Sequence, residues 1–208
     1  MIGNVDRLAR LFVTKSVYSM LLALAIGMAG LPFPFLPRHL SLIGALTIGV
    51  PGFVVALAPN TSRPQPGLVA RVLRFAVPVG LLAAAATFAG YYVTRLQPDV
   101  GLDEARTTAT IVLLAVGLLI LTRLAQPLTR PRRLLIAAMA AALVLAVALP
   151  VPREFFALNP PPPIVVLGAI GVIAISERLL GADLRLRTTL GPWLAARRAA
   201  ATHSSRDG

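Results

Sequence analysis

The chain has 208 residues, 57% of them hydrophobic and only 13% charged, with no cysteine and two histidines. That composition excludes a soluble globular domain, disulfide or thiolate chemistry, and a histidine-based metal cluster. The net charge is +12, from 20 basic and 8 acidic residues, and its placement along the chain ties it to membrane topology rather than to a nucleic-acid partner.

Six apolar stretches, at about 11–31, 39–58, 71–94, 107–124, 133–150 and 163–180, are each long enough to cross a hydrocarbon core of roughly 30 Å at ~1.5 Å per residue. Their apolar runs are continuous, which favours helices over barrel strands. The expected fold is all-α: a six-helix polytopic membrane domain over 1–181, embedded in the lipid bilayer of the cell membrane, and a basic tail over 182–208. No small-residue cleavage site follows Arg7, Arg10 and Lys15, so the first run reads as a span and not as a signal peptide.

The first span opens "FVTKSVYSM". Lys15 and Ser19 are four apart and Ser16 and Ser19 three apart, so they share a helical face. Two readings stand: Lys15 reaches its ammonium to the interface while the serines bond back to their helix, or this face lines an ion pathway. A Pro-rich turn, "GLPFPFLPRH", leads into the second span, "ALTIGVPGFVVALAPN". There Gly44, Gly49, Gly52 and Pro51 weaken the helix, and the helix break is expected at Gly49 and Pro51. Pro51 has no N–H for the carbonyl of Thr47, four residues back. Irregular backbone at membrane depth is tolerated where it is buried in protein or lines a polar cavity, and freed carbonyls there coordinate cations. A packing kink built from small residues is the alternative.

The later spans read as scaffold. "LLAAAATFAGYYV" and "LLIAAMAAALVLAVAL" are small-residue helices, and Tyr91 and Tyr92 suit an interfacial aromatic belt. Thr107, Thr108 and Thr110 suit a helix start, as caps or back-bonding hydroxyls. "VPREFFALNPPPP" (151–163) suggests a stiff polyproline connection, and Glu177 is the one acid within a span. The tail segment "LRLRTTLGPWLAARRAAA" suits an interfacial helix. Sixteen Arg and Lys side chains fall on one side of this arrangement and four on the other, where Asp99, Asp103, Glu104 and Glu154 offset them. By the positive-inside rule both termini are cytoplasmic. There is no phosphate loop, dinucleotide fingerprint or paired-carboxylate site in the sequence.

The first 60 residues resemble the fifth and sixth membrane helices of P-type cation-transporting ATPases. "LTIGVPGFVVALAPN" is similar to the bacterial pattern "LTIGIPxFxLALEPN", with Ala58 in place of the usual Glu. The remaining four spans fit the family's last four helices. The resemblance implies that the chain forms part of a cation path. Thr47 matches an ion-ligating threonine of the calcium pumps, and Pro51 matches the proline after the unwound segment. Ser16 and Ser19 stand where calcium pumps have Asn and Glu, and Gly44 and Ile48 where they have Asn and Asp. Lys15 resembles the internal counter-charge of the proton/potassium branch. The transported ion is therefore calcium, another metal or a monovalent cation. "DKTGT", "TGES" and "GDGxND" do not occur. The resemblance thus implies that ATP and magnesium belong to a separate N-terminal, catalytic part, a partner of this chain, and that this chain alone has no ATPase activity and no cofactor of its own. A stand-alone small transporter, channel or assembly subunit is the alternative.

Overall fold

In an apolar surrounding every backbone N–H and C=O must find its partner inside the chain, and long Leu/Ala/Val runs meet that demand as helices. The computed structural model describes residues 2–57, 67–126 and 129–181. Among these residues there is helix and connecting loop but no strand. In chain order the elements are α1 (Ile2–Met28), α2 (Pro37–Gly44), a π-helical turn (Ala45–Gly49), α3 (Val50–Leu57), α4 (Leu68–Arg95), α5 (Leu102–Leu124), α6 (Arg130–Ala148), α7 (Pro150–Phe156) and α8 (Pro163–Gly181).

Five helices are each long and apolar enough to cross a bilayer: α1 from Val5 onward, α4, α5, α6 and α8. The protein is an all-α polytopic membrane protein. The second expected span is built differently, as α2, the π-turn and α3 running on from one another over 37–57. Its helix is re-pitched before Pro51 and not interrupted. The connection after it, Ala58 included, and the tail from 182 onward lie outside the described residues.

α5 occupies the centre. Ala109, Val112, Leu114 and Val116 on it have no exposed surface. α4 packs along one side of it, the π-turn, α2 and α6 along others, and α1 lies along the outer flank of α4. Small residues let the backbones meet, as expected where lipid supplies no hydrophobic drive between helices. At the α1–α4 seam a Cβ on Gly80 would stand 2.6 Å from Val17 and 3.3 Å from the Thr14 carbonyl. At the α4–α5 seam a Cβ on Gly90 would stand 3.0 Å from Val112. Five buried hydroxyls are satisfied locally: Thr87, Thr94, Thr107, Thr108 and Thr110 each donate to the carbonyl four residues back, at 2.7–2.9 Å.

The bundle's two ends are tied by polar contacts between elements distant in sequence. At one end Asp6 pairs with Arg10 (2.7 Å) and Arg71 (3.8 Å), and Arg7 donates to the carbonyl of Gln126. The start of α1, the start of α4 and the end of α5 therefore share that end. At the other end Arg106 donates to the Phe33 carbonyl and Arg38 to the Phe155 carbonyl. His39 is buried there; its Nδ1 accepts from the Leu36 N–H, so Nε2 carries the proton and donates to the Ala157 carbonyl at 3.3 Å.

Two local expectations differ from the structure. Tyr91 is fully buried and donates its hydroxyl to the Pro32 carbonyl at 2.8 Å, so it staples a loop instead of lining an aromatic belt; Tyr92, stacked on Phe88, is the exposed member of the pair. Of the connection expected to be polyproline over 151–163, residues 151–156 belong instead to the helix α7, and the prolines at 160–162 lie outside any helix, just before α8. Pro150 and Pro152 fall in the first turn of α7, where the missing N–H has no helical acceptor to serve. Ala157, left-handed at φ 50°, ends it.

Candidate functional site: the π-turn around Thr47

The irregularity of the second span begins with Pro51. Lacking an N–H, it cannot serve the carbonyl four residues back in α geometry (Thr47) or five back in π geometry (Leu46). The chain answers by widening the turn before it. The Val50 N–H reaches the carbonyl of Ala45, five residues back, and Ala45–Gly49 takes up one extra residue per turn. Such single wide turns concentrate at functional sites. A Cβ on Gly49 would meet the Gly44 carbonyl at 3.5 Å, ordinary contact, so the glycine is not needed to relieve a clash.

The turn has two faces. Leu46, Thr47 and Ile48 are buried, while Ala45, Gly49 and Val50 are exposed. The Thr47 hydroxyl donates to the Ile43 carbonyl at 2.7 Å, which uses its single proton and leaves its oxygen lone pairs undirected by that bond. Its methyl rests on α5 at Gly117, where a Cβ would stand only 2.7 Å from Thr47 Cγ2. Gly117 is a positioning residue that inspection of the second span does not reveal. Its trace in the sequence is a lone glycine in the apolar run "LLAVGLLIL".

Lys15, Ser16 and Ser19 sit on the exposed face of α1, while Thr14, Leu11 and Leu22 are the buried ones. Ser16 donates to the Phe12 carbonyl at 3.2 Å, inside its own helix, as Thr47 does in its own. No hydrogen bond joins the α1 candidates to Thr47. The α1 candidates are thus exposed on their helix, whereas Thr47 is buried against α5. Among the described residues no three His, Asp or Glu side chains gather into a metal-binding group. The oxygen donors of the π-turn are a hydroxyl and backbone carbonyls, a neutral and partial set for a hard cation, which prefers six or more oxygens and usually carboxylates.

The amino-acid sequence has relatives among known proteins. The chain is 41% identical to the calcium-transporting ATPase CtpE of Mycolicibacterium smegmatis, over 76% of its own length and 22% of that protein's. It is 40% identical to CtpE of Mycobacterium tuberculosis over the same shares. This chain is a membrane part of the P-type cation-transporting ATPase family. A more distant similarity, 27% identity over 65% of the chain, joins it to the probable cation-transporting ATPase exp7 of Streptococcus pneumoniae. The chain spans about a fifth of the length of the curated relatives it matches. No family model and no solved structure matches it.

Proposed function

We propose that this chain forms the C-terminal six-span membrane portion of a cation-transporting P-type ATPase, with both ends cytoplasmic, and that its π-turn is one wall of the cation path. The Thr47 hydroxyl and the carbonyls that Pro51 leaves without a donor act as oxygen ligands. Lys15, Ser16 and Ser19, exposed on α1, face the helices that complete the path. The remaining ligands, the negative charge a dehydrated cation needs, and ATP hydrolysis with its magnesium come from the rest of the pump. The observation that carries this reading is the buried Thr47, held on Gly117 inside a wide turn that Pro51 enforces, in a chain 41% identical to a calcium-transporting ATPase. Calcium is the first cation to test.

The test is a split pump. The Mycolicibacterium smegmatis relative, cut to remove the part that aligns here, is co-expressed with this chain in membranes, and calcium-stimulated ATP hydrolysis is measured. Restoration of hydrolysis by this chain, with at least a tenfold rise in the calcium concentration needed for half-stimulation in Thr47→Val and little change in Thr47→Ser, is expected. The valine keeps the shape and loses the oxygen; the serine keeps the oxygen. Calcium flux through liposomes holding this chain alone, without ATP and abolished by Thr47→Val, would show a self-sufficient channel and refute the proposal.

A further inference from the structure

At the end of the bundle where Asp6, Arg7 and Gln126 meet, a cavity of about 250 Å³ opens between α1, α3, α5 and α6. Its walls include Leu11, Leu121, Leu124 and Leu135, and its border holds two guanidinium groups, those of Arg7 and Arg132. Both are anchored to the C-terminal end of α5: Arg7 donates to the Gln126 carbonyl at 3.3 Å and Arg132 to the Ala125 carbonyl at 3.2 Å. A helix C-terminus carries negative partial charge, so it holds the two cations in place. Arg7 lies within electrostatic reach of Arg132, Arg10 and the Asp6 carboxylate; Asp6 is paired with Arg10 at 2.7 Å, and three guanidiniums around one carboxylate favour a further anion among them. A guanidinium has five N–H donors in a planar fork suited to phosphate, more than the single carbonyl bond of Arg7 uses.

A site for a small soluble anion would have polar walls, whereas these are mostly apolar, four leucines with Val54, Ala125 and Pro131 against the single hydroxyl of Thr129. Apolar walls beneath paired guanidiniums match an amphiphile, with its chain in the cavity and its phosphate at the rim. The height agrees, because the rim lies at the ends of helices that span the hydrocarbon, which is headgroup level, and basic pockets between helices at that level take acidic lipid headgroups. We infer that this cavity binds an anionic phospholipid, its phosphate between Arg7 and Arg132 and an acyl chain along Leu11, Leu121 and Leu135. The lipid bridges α1 to α6. The inference needs only membrane residence and stands apart from the cation path.

The full chain is placed in bicelles of equal phosphatidylglycerol and phosphatidylcholine, and lipid retained on the released protein is weighed by native mass spectrometry. Phosphatidylglycerol is expected at least tenfold over phosphatidylcholine. The double variant Arg7→Gln/Arg132→Gln loses that preference, while Arg130→Gln, an exposed neighbour on α6, keeps it. Leu135→Trp, which fills the cavity and leaves both guanidiniums, lowers phosphatidylglycerol retention at least fivefold. If the double arginine variant does not fold, the tryptophan variant decides alone. Unchanged preference in the double variant or unchanged retention in Leu135→Trp overturns the inference. So does displacement of the lipid by millimolar glycerol 3-phosphate, which would mark a soluble-phosphate site.

Discussion

At the scale of single residues, the contact between Thr47 and Gly117 decides how the π-turn is held. An added Cβ at 117 would overlap the threonine methyl at 2.7 Å, and both partners are backbone-proximal atoms in a packed interior, so neither yields by a simple side-chain rotation. Gly117→Ala therefore costs about 1–3 kcal/mol as over-packing, and it pushes the π-turn away from α5. The expected outcome is a lower unfolding temperature in detergent, together with weaker calcium stimulation in the split pump. Thr47→Ser, which removes that methyl while keeping the hydroxyl, should relieve the clash, so Thr47→Ser/Gly117→Ala recovers most of the lost stability. A double-mutant cycle with no coupling would show that the two residues do not hold each other.

At the scale of elements, the second span shows what was legible in the sequence and what was not. Pro51, Gly49 and the small residues around them announce an irregular helix, because proline cannot give an N–H and crowds the turn before it. The form of the irregularity was not legible. Whether a chain unwinds or widens by one residue depends on the surface it packs against, and here α5 and α6 lie against the turn. The same limit explains Tyr91 and α7. Two adjacent tyrosines suit an interface, but only the tertiary arrangement brings the Pro32 carbonyl to one of them. The prolines of 151–163 suit a polyproline segment, yet Pro152, with Pro150 just before it, falls where a helix start accepts it. If Pro51 enforces the wide turn, Pro51→Ala restores an N–H at position 51 and lets the segment relax toward regular α-helix. An interior proline costs roughly 3 kcal/mol relative to alanine, so the variant is expected to unfold at a higher temperature than the parent. It should also lose most cation stimulation, a trade of function for stability. A variant that is less stable than the parent would show that the turn is set by its neighbours and not by the proline.

At the scale of the whole molecule, helix alternation was legible because charge and apolar length report it independently. Among the described residues, Arg7, Arg10 and Arg71, expected on one side, share the end where Arg7 meets Gln126, and Arg38 and Arg106, expected on the other, share the end where Arg106 meets Phe33. The composite second span is the weak link of that topology. Five helices meet the length and hydropathy of a bilayer crossing by themselves, whereas 37–57 does so only if its re-pitched helix is taken whole, 21 residues or about 30 Å at ~1.5 Å per residue. The absence of native cysteine makes the question directly measurable with single introduced thiols. Phe33 precedes this span, Val69 follows it, and Asp99 lies beyond α4; all three are exposed. If 37–57 crosses, a membrane-impermeant maleimide applied to intact cells labels Phe33→Cys and Asp99→Cys but reaches Val69→Cys only after permeabilisation. If the segment enters and returns, Phe33→Cys and Val69→Cys fall on one side and Asp99→Cys moves to the other. That outcome would bring Asp99, Asp103 and Glu104 to the side of the chain's first residues and reverse α4 and everything after it. The charge asymmetry opposes such a reversal: moving one short connection is a local change, but inverting α4 through α8 would carry Arg123, Arg130, Arg132 and Arg133 outward across the membrane, against the bias that sets orientation.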